Sequence, residues 1–170
     1  MQYALFTSPE SFVDEIDLIE KIFDAGLDFL YIQKPHLKDL ALERFLLALS
    51  ESVRQKSFLC GSPNVAGEFG LWGFHASADW AIQNAEAALR SKVRMSVSVG
   101  SAPDVQKIAE PLRSKISHFV VPQGEGFLCE KAFVECDATE LPEDPENLAV
   151  ISGIWEFADP VSAWRRLCKK

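Results

Sequence analysis

Two polar residues, Gln33 and Lys34, follow a short apolar segment near the start of the chain, and Pro35 ends it. In chains that alternate strands and helices, ligands bind at the carboxyl ends of the strands. A lysine there can bind a phosphate group as a point charge, and Tyr31 with Gln33 can stack on and hydrogen-bond a flat heterocycle. The alternatives are a solvated lysine on a loop, and a tyrosine and a glutamine that pack inside the protein.

His75 is the second candidate for chemistry. It lies within the apolar segment 73–76, and an imidazole can serve as a general acid or base because its ordinary pKa lies near neutral pH. A histidine in an apolar strand is also a common hydrogen-bonded core residue, and one histidine does not define an acid–base pair. The sequence leaves both interpretations open.

The composition narrows the class of protein. The chain has 170 residues, is 48% hydrophobic and 25% charged, and carries a formal net charge of -8. These values indicate one globular domain over residues 1–170 and argue against nucleic acid or an anionic membrane as a partner. The cysteines show no CxxC spacing and, with three scattered histidines, no metal-binding signature. Without a signal peptide or a long apolar run, we expect a cytoplasmic protein.

The elements that would position these residues alternate regularly up to residue 122. Helices are expected between the strands. The first begins near Pro9 and ends at Gly26. The second carries an apolar stripe from Leu42 to Val53, and the fourth runs over about 79–89. The predicted strands are 3–6, 29–33, 57–60, 73–76, 93–99 and 118–121. Such alternation is typical of a parallel sheet with helices outside. Because no dinucleotide-binding glycine motif is present, the pattern favours a closed barrel over a doubly wound sheet.

The alternation breaks in the last third of the chain. Strand seven could be formed by residues 127–128 or by 132–136, and the acidic segment 140–146 contains two prolines where a helix would be expected. A regular unit then follows, with a strand over 148–152 and a helix over 159–168. Because a (β/α)₈ barrel usually needs at least about 200 residues, we expect a shortened barrel of the TIM type, an α/β fold with helix seven reduced or missing.

Four segments of the chain carry a family resemblance in their order and spacing. They are residues 5–9 (LFTSP), 22–35 (IFDAGLDFLYIQKP), 65–75 (VAGEFGLWGFH) and 150–155 (VISGIW), the last followed by 159–161 (DPV). In these pieces the chain resembles the thiamine phosphate synthase/TenI family. The resemblance implies a (β/α)₈ barrel of thiamine biosynthesis. The family's synthases join a hydroxymethylpyrimidine diphosphate to a thiazole phosphate and release pyrophosphate with Mg²⁺, and its TenI branch aromatises the thiazole phosphate.

The same resemblance implies a ligand site at the carboxyl end of the strands. It places Ser98 where the family often has a serine or histidine, and Ser152 with Gly153 in the loop that holds the thiazole phosphate beside a helix amino terminus. A plain strand-to-helix turn would have the same composition. The catalytic candidates are Lys34 and His75, and the ligand-binding candidates are Tyr31, Gln33, Ser98, Ser152 and Gly153.

Three departures from the family pattern weaken the expectation of catalysis. Gln33 stands where an arginine would grip the diphosphate, and a neutral amide cannot replace that bidentate cation. Cys60 stands at the end of strand three, where the family has the carboxylate that helps to hold Mg²⁺. An acidic segment follows Asp137 in place of the family's glycine pair.

We therefore expect a barrel that binds a phosphorylated thiazole or pyrimidine, with impaired catalysis and no metal ligands of its own. One alternative is an active synthase or thiazole tautomerase with altered residues, a transferase that would need Mg²⁺. Another is a non-enzymatic barrel that binds a partner protein through its acidic segment. A homodimer is possible if the tryptophan-bearing face is exposed where helix seven is missing.

Overall fold

The computed structural model describes residues 1–124, 131–143 and 145–169. Over these residues the chain forms a closed barrel in which eight strands follow one another in chain order and every neighbouring pair is parallel. The strands are β1 (Gln2–Phe6), β2 (Phe29–Ile32), β3 (Ser57–Cys60), β4 (Gly73–Ser77), β5 (Arg94–Ser98), β6 (Ile116–Val121), β7 (Ala132–Asp137) and β8 (Asn147–Ser152). The predicted fold class, a TIM-type α/β barrel, is confirmed.

Helices connect the strands on the outside of the barrel. They are α1 (Glu15–Asp24), α2 (Asp39–Ala48), α3 (Glu51–Arg54), α4 (Pro63–Glu68), α5 (Ala78–Gln83), α6 (Ala85–Arg90), α7 (Ala102–Lys107), α8 (Glu110–Arg113) and α9 (Pro160–Leu167). A short 3₁₀ turn, Ile154–Glu156, precedes α9. No helix occurs among the described residues between β7 and β8. The predicted shortening at helix seven is therefore confirmed.

Strand seven is formed by the second of the two predicted segments. Residues 132–136 lie within β7, which pairs with β6 and β8. The other predicted segment, 127–128, lies outside the described residues. No helix in the described part of the chain is long and apolar enough to cross a membrane.

Several predicted helices begin late or are divided. The first helix begins at Glu15 and not near Pro9, because Asp14 adopts a left-handed backbone with φ 64°. The expected helix over 79–89 is broken at Asn84, whose backbone is not helical. Ser50 starts a new helix, α3, by accepting a hydrogen bond from the amide of Val53. In each case a local side chain or backbone conformation interrupts an apolar pattern that continues past it.

Aromatic side chains fill the inside of the barrel. Phe6, Tyr31 and Phe58 stack in sequence, with ring centroids 4.6 and 5.2 Å apart. A second cluster, in which Phe29, Phe58 and Phe133 surround His118, lies nearer the amino ends of the strands. The larger aliphatic core lies between the strands and the outer helices. The interior of the barrel is thus a packed core and not a pore.

Candidate binding site at the carboxyl end of the barrel

Lys34 is buried in an ion pair. It follows β2, and its Nζ lies 2.6 and 2.7 Å from the two carboxylate oxygens of Glu15, which begins α1. Nζ also donates to the carbonyl oxygens of Ser8 and Glu10 at 2.8 and 3.0 Å. These contacts use all three ammonium donors. The structure places Lys34 at the carboxyl end of the barrel with its charge already neutralised, and a phosphate there would have to displace one of these partners.

Tyr31 lies inside the barrel rather than at its surface. Its side chain is fully buried, its ring is sandwiched between Phe6 and Phe58, and its hydroxyl faces Ser96 without reaching ordinary hydrogen-bond geometry. Burial raises the pKa of the Tyr31 phenol above its usual value. Tyr31 therefore forms the floor beneath the open end of the barrel, and its ring faces are not free for stacking on a ligand.

Gln33 and Ser98 reach the barrel end. The Gln33 side chain is exposed, while its backbone is fixed by Thr7, whose hydroxyl oxygen accepts a hydrogen bond from the Gln33 amide at 2.9 Å. Ser98, the last residue of β5, is half-buried and faces the interior, because its hydroxyl contacts the ring of His75. Both residues are placed where a ligand could contact them.

His75 is held between two serines. Its Nδ1 lies 2.7 Å from the Ser96 hydroxyl and its Nε2 lies 2.8 Å from the Ser98 hydroxyl. Its ring also meets Phe6 and Tyr31 edge-on. Burial lowers the pKa of His75 to about 3. The imidazole is therefore neutral at physiological pH, with both nitrogens engaged, and it is a poor general base in this state.

Ser152 and Gly153 form a turn that packs against the carboxylate of Asp137. The Ser152 hydroxyl donates to Asp137 Oδ2 at 2.6 Å. Gly153 has φ +84°, and a Cβ placed there would lie 2.6 Å from Asp137 Oδ1. The amide of Thr139 also donates to Asp137, at 2.8 Å. These hydrogen bonds hold the pKa of Asp137 below its usual value. Asp137 thus occupies the turn that the resemblance assigns to a phosphate.

The residues at the strand ends do not fit Mg²⁺. Among residues 1–124, 131–143 and 145–169, no three His, Cys, Asp or Glu side chains come together as metal ligands. Cys60, at the end of β3, is a thiol, and burial raises its pKa to about 12. A hard cation takes oxygen ligands, which this thiol does not provide. The expectation that Mg²⁺ would serve only an active enzyme stays a prediction.

Three side chains in or beside this candidate site were not among the candidate site residues identified from the sequence. Glu15 neutralises Lys34 from 19 positions earlier in the chain, Asp137 fills the Ser152–Gly153 turn, and Glu135 faces the barrel interior from β7. Only Glu135 had a usable signal in the sequence, since it alternates with Phe133 within residues 132–136, one of the two segments predicted for strand seven. The other two depend on contacts between distant elements.

A comparison with solved structures finds a barrel of the same kind. The crystal structure of a thiamine phosphate pyrophosphorylase from Bacteroides thetaiotaomicron aligns with a TM-score of 0.70 and 18% sequence identity, covering 99% of this chain and 96% of that chain. At that identity the likeness shows the fold alone, a closed α/β barrel. No family model matches the chain. No curated protein matches it either.

Proposed function

We propose that this chain is a thiamine-phosphate-synthase-like barrel that binds a phosphorylated thiazole or pyrimidine at the carboxyl end of its strands and has impaired catalysis. The observation that carries the proposal is the pairing of Lys34 with Glu15. The cation best placed to hold a departing diphosphate is neutralised by a carboxylate of its own chain at 2.6 Å. An enzyme that releases pyrophosphate needs that charge free, because its catalysis is mainly electrostatic.

The other candidate residues support the same proposal. The neutral His75 is engaged by two serines, and Asp137 lies in the turn that could otherwise accept a phosphate. Gln33, Ser98 and the exposed end of the barrel remain to contact a ligand. The ring system of a heterocycle, rather than its phosphate, would then supply most of the contacts.

The test is a thermal melt with and without thiazole phosphate, thiamine phosphate, and pyrophosphate with Mg²⁺. A ligand at about 100 times its dissociation constant stabilises the native state by about 2.7 kcal/mol, a shift of a few degrees. We expect a shift with at least one heterocyclic phosphate and no release of pyrophosphate in a coupled assay with both substrates and Mg²⁺. Gln33→Ala should reduce the shift. Gln2→Ala, at the opposite end of the barrel, is the matched control.

The two alternatives give different results. Pyrophosphate release that requires Mg²⁺, and that is lost in a Lys34→Met variant that still unfolds cooperatively, would replace the proposal with an active transferase. If none of the three compounds shifts the melting temperature of a sample that unfolds cooperatively, the result would favour a non-enzymatic barrel whose partner contacts the acidic segment 140–146. A cytoplasmic location and a possible homodimer are proposed with the function, and size-exclusion chromatography with light scattering measures the second.

A further inference from the structure

Glu135 is a carboxylate inside the barrel without a partner among the described residues. It lies on β7 two positions after Phe133, which belongs to the interior aromatic cluster, and it pairs in register with Ala149 of the same cluster. Since alternate residues of a strand share a face, Glu135 points inward. It is half-buried, and within residues 1–124, 131–143 and 145–169 it makes neither a hydrogen bond nor an ion pair.

The inward residues of the odd-numbered strands define the layer that contains Glu135. In an eight-stranded barrel, alternate strands contribute four side chains to each interior layer. Following the strand register around the barrel, the upper layer of the odd strands consists of Phe6, Cys60, Ser98 and Glu135. Tyr31, His75, Val120 and Ala149 lie beneath it. Glu135 and Ser98, both half-buried, therefore lie in one layer at the carboxyl end of the barrel.

His75 contacts a serine hydroxyl with each of its ring nitrogens. Nδ1 lies 2.7 Å from the Ser96 oxygen and Nε2 lies 2.8 Å from the Ser98 oxygen. A neutral imidazole has one N–H donor and one acceptor nitrogen. In the tautomer with the proton on Nε2, this N–H donates to the Ser98 oxygen, and the Ser98 hydroxyl can turn its own proton toward the carboxyl end of the barrel.

We propose that Glu135 and Ser98 form a recognition site for a flat cation with an amidine-type edge, in which two N–H groups flank one carbon. The two carboxylate oxygens of Glu135 accept the paired N–H groups, which is the bidentate arrangement that planar nitrogen cations make with carboxylates. The Ser98 hydroxyl donates to a further acceptor on the ligand. The ring of Phe6 in the same layer provides an apolar contact for the ligand's flat body.

The charges around this layer favour a cation over an anion. Burial raises the pKa of Glu135, and no described lysine or arginine forms an ion pair with it. Asp137, on the same strand, is held ionised by its hydrogen bonds. Lys34 carries its own counter-ion, Glu15. A ligand cation would neutralise Glu135 and relieve the unfavourable burial of its charge, whereas a bare phosphate would meet two carboxylates.

This inference concerns the same end of the barrel as the proposed function but requires neither phosphate nor turnover. An unchanged melting temperature with phosphorylated heterocycles would not contradict this inference. A failure to bind the cation would not contradict the proposed function.

The test uses isothermal titration calorimetry with benzamidine as the cation, benzamide as its neutral isostere and benzoate as the anion. We expect benzamidine to bind and the other two compounds to bind at least tenfold more weakly. Glu135→Gln should weaken benzamidine binding by about tenfold or more, the effect of losing a charge-assisted hydrogen-bonded pair. Glu140→Gln, an exposed acid in the following turn, is the matched control and should leave the affinity unchanged. Ser98→Ala tests the second group.

The pH dependence of the native protein tests the same site without a variant. Benzamidinium keeps its charge between pH 8 and 4.5. Its affinity should fall as the pH is lowered over this range, because burial raises the pKa of Glu135 above the ordinary value of 4.5 and the carboxylate takes up its proton. The other titratable groups in or next to this layer keep the same protonation state over this range. The Cys60 pKa of about 12 and the His75 pKa of about 3 lie outside the range, and Asp137 remains ionised. Equal affinity for benzamide and benzamidine, or a pH-independent affinity, would overturn the proposal. Unchanged binding to a folded Glu135→Gln variant would overturn it as well.

Discussion

The position of Lys34 in the sequence suggests a ligand-binding role, whereas its contacts in the structure give it a structural role. Its position after β2 suits a phosphate-binding cation, and its contacts make it a structural group that ties the β1–α1 loop to β2. The side chains of Lys34 and Glu15 are 0% and 3% exposed, so this pair is desolvated. Removing one member of such a pair leaves an uncompensated charge in the interior.

We predict that Lys34→Met or Glu15→Leu alone lowers the free energy of unfolding by about 3–5 kcal/mol. The double variant Lys34→Met/Glu15→Leu should recover part of the loss, because it buries no unpaired charge, although the Ser8 and Glu10 carbonyls lose their donor. Urea denaturation measures all three. Lys21→Met breaks the exposed pair with Asp17 and should cost less than about 1 kcal/mol. A loss that is equally small at both pairs would contradict the structural role of Lys34.

At the scale of single residues, the sequence located the candidates but not their partners. Gln33, Ser98 and His75 were predicted at the barrel's carboxyl end from strand ends and from the family resemblance, and the structure places them there. Their use as catalytic or binding groups stays a prediction. Glu15 could not be paired with Lys34 beforehand, since the contact depends on how α1 packs against β2. Nor could the two serines be assigned to His75, because strand register fixes that contact.

At the scale of elements, the turn at the end of β8 is shaped by one neighbouring side chain, that of Asp137. Gly153 has φ +84°, a conformation that side chains with a Cβ rarely adopt, and the Asp137 carboxylate lies against it. Asp137 is in turn fixed by Ser152 and Thr139. The ends of β7 and β8 are thereby joined by side-chain hydrogen bonds, where the backbone register itself is irregular.

We predict that Gly153→Ala destabilises the protein by more than backbone strain alone, which is about 1–2 kcal/mol. In an Asp137→Ala background the same change should cost less, because the methyl group no longer meets the carboxylate, and the double-mutant cycle should give a coupling of about 0.5–2 kcal/mol. Gly26→Ala is the matched control. Its φ is +100° and nothing lies within 4 Å of an added Cβ, so its cost should not depend on Asp137. Additive effects at Gly153 and Asp137 would contradict the packing described here.

The first six strands and β8 were predictable, because each is a short apolar run that ends at or within a few residues of a glycine, proline or serine. Strand seven lacks such an end signal, and the sequence left two segments open for it. Helix lengths were less predictable. The stripe from Leu42 to Val53 and the segment 79–89 read as continuous helices, since their apolar spacing persists across Ser50 and Asn84. Periodicity reports which face is buried and does not report a local break, which a capping side chain or one non-helical residue can impose.

For the molecule as a whole, two interior histidines set the response to acid. Burial lowers the pKa of His75 to about 3 and that of His118 to about 4, from an ordinary value of 6.5. Between these values the unfolded chain binds more protons than the folded one, so stability is full above pH 6.5 and falls as the pH decreases. Each histidine contributes up to about 1.4 kcal/mol per pH unit within its window.

We therefore predict that the free energy of unfolding decreases between pH 7 and pH 4, and that His75→Gln and His118→Gln each flatten this dependence. Urea denaturation at several pH values measures it. His36→Gln serves as the control, because the His36 side chain is 70% exposed, and its pH profile should follow that of the unchanged protein. If the interior variants kept the full acid dependence, the two histidines would not be its source. Glu15 and Glu135, whose pKa values are raised by burial, act in the opposite direction and are present in every variant.

The connection between β7 and β8 also bears on how the chain could be rearranged. Its described residues contain no helix. Elsewhere, Tyr3 in β1 and Cys168 just after α9 lie together, since the Tyr3 hydroxyl meets the carbonyl oxygen of Cys168 at 3.5 Å. A short linker could therefore join the old ends, and new ends could be opened after Pro142 without dividing any strand or helix. Such a circular permutant would begin with β8 and finish with β7, and its barrel would still close with the same neighbours. Because the described residues between β7 and β8 form no helix, this connection is also a suitable place to insert a second domain.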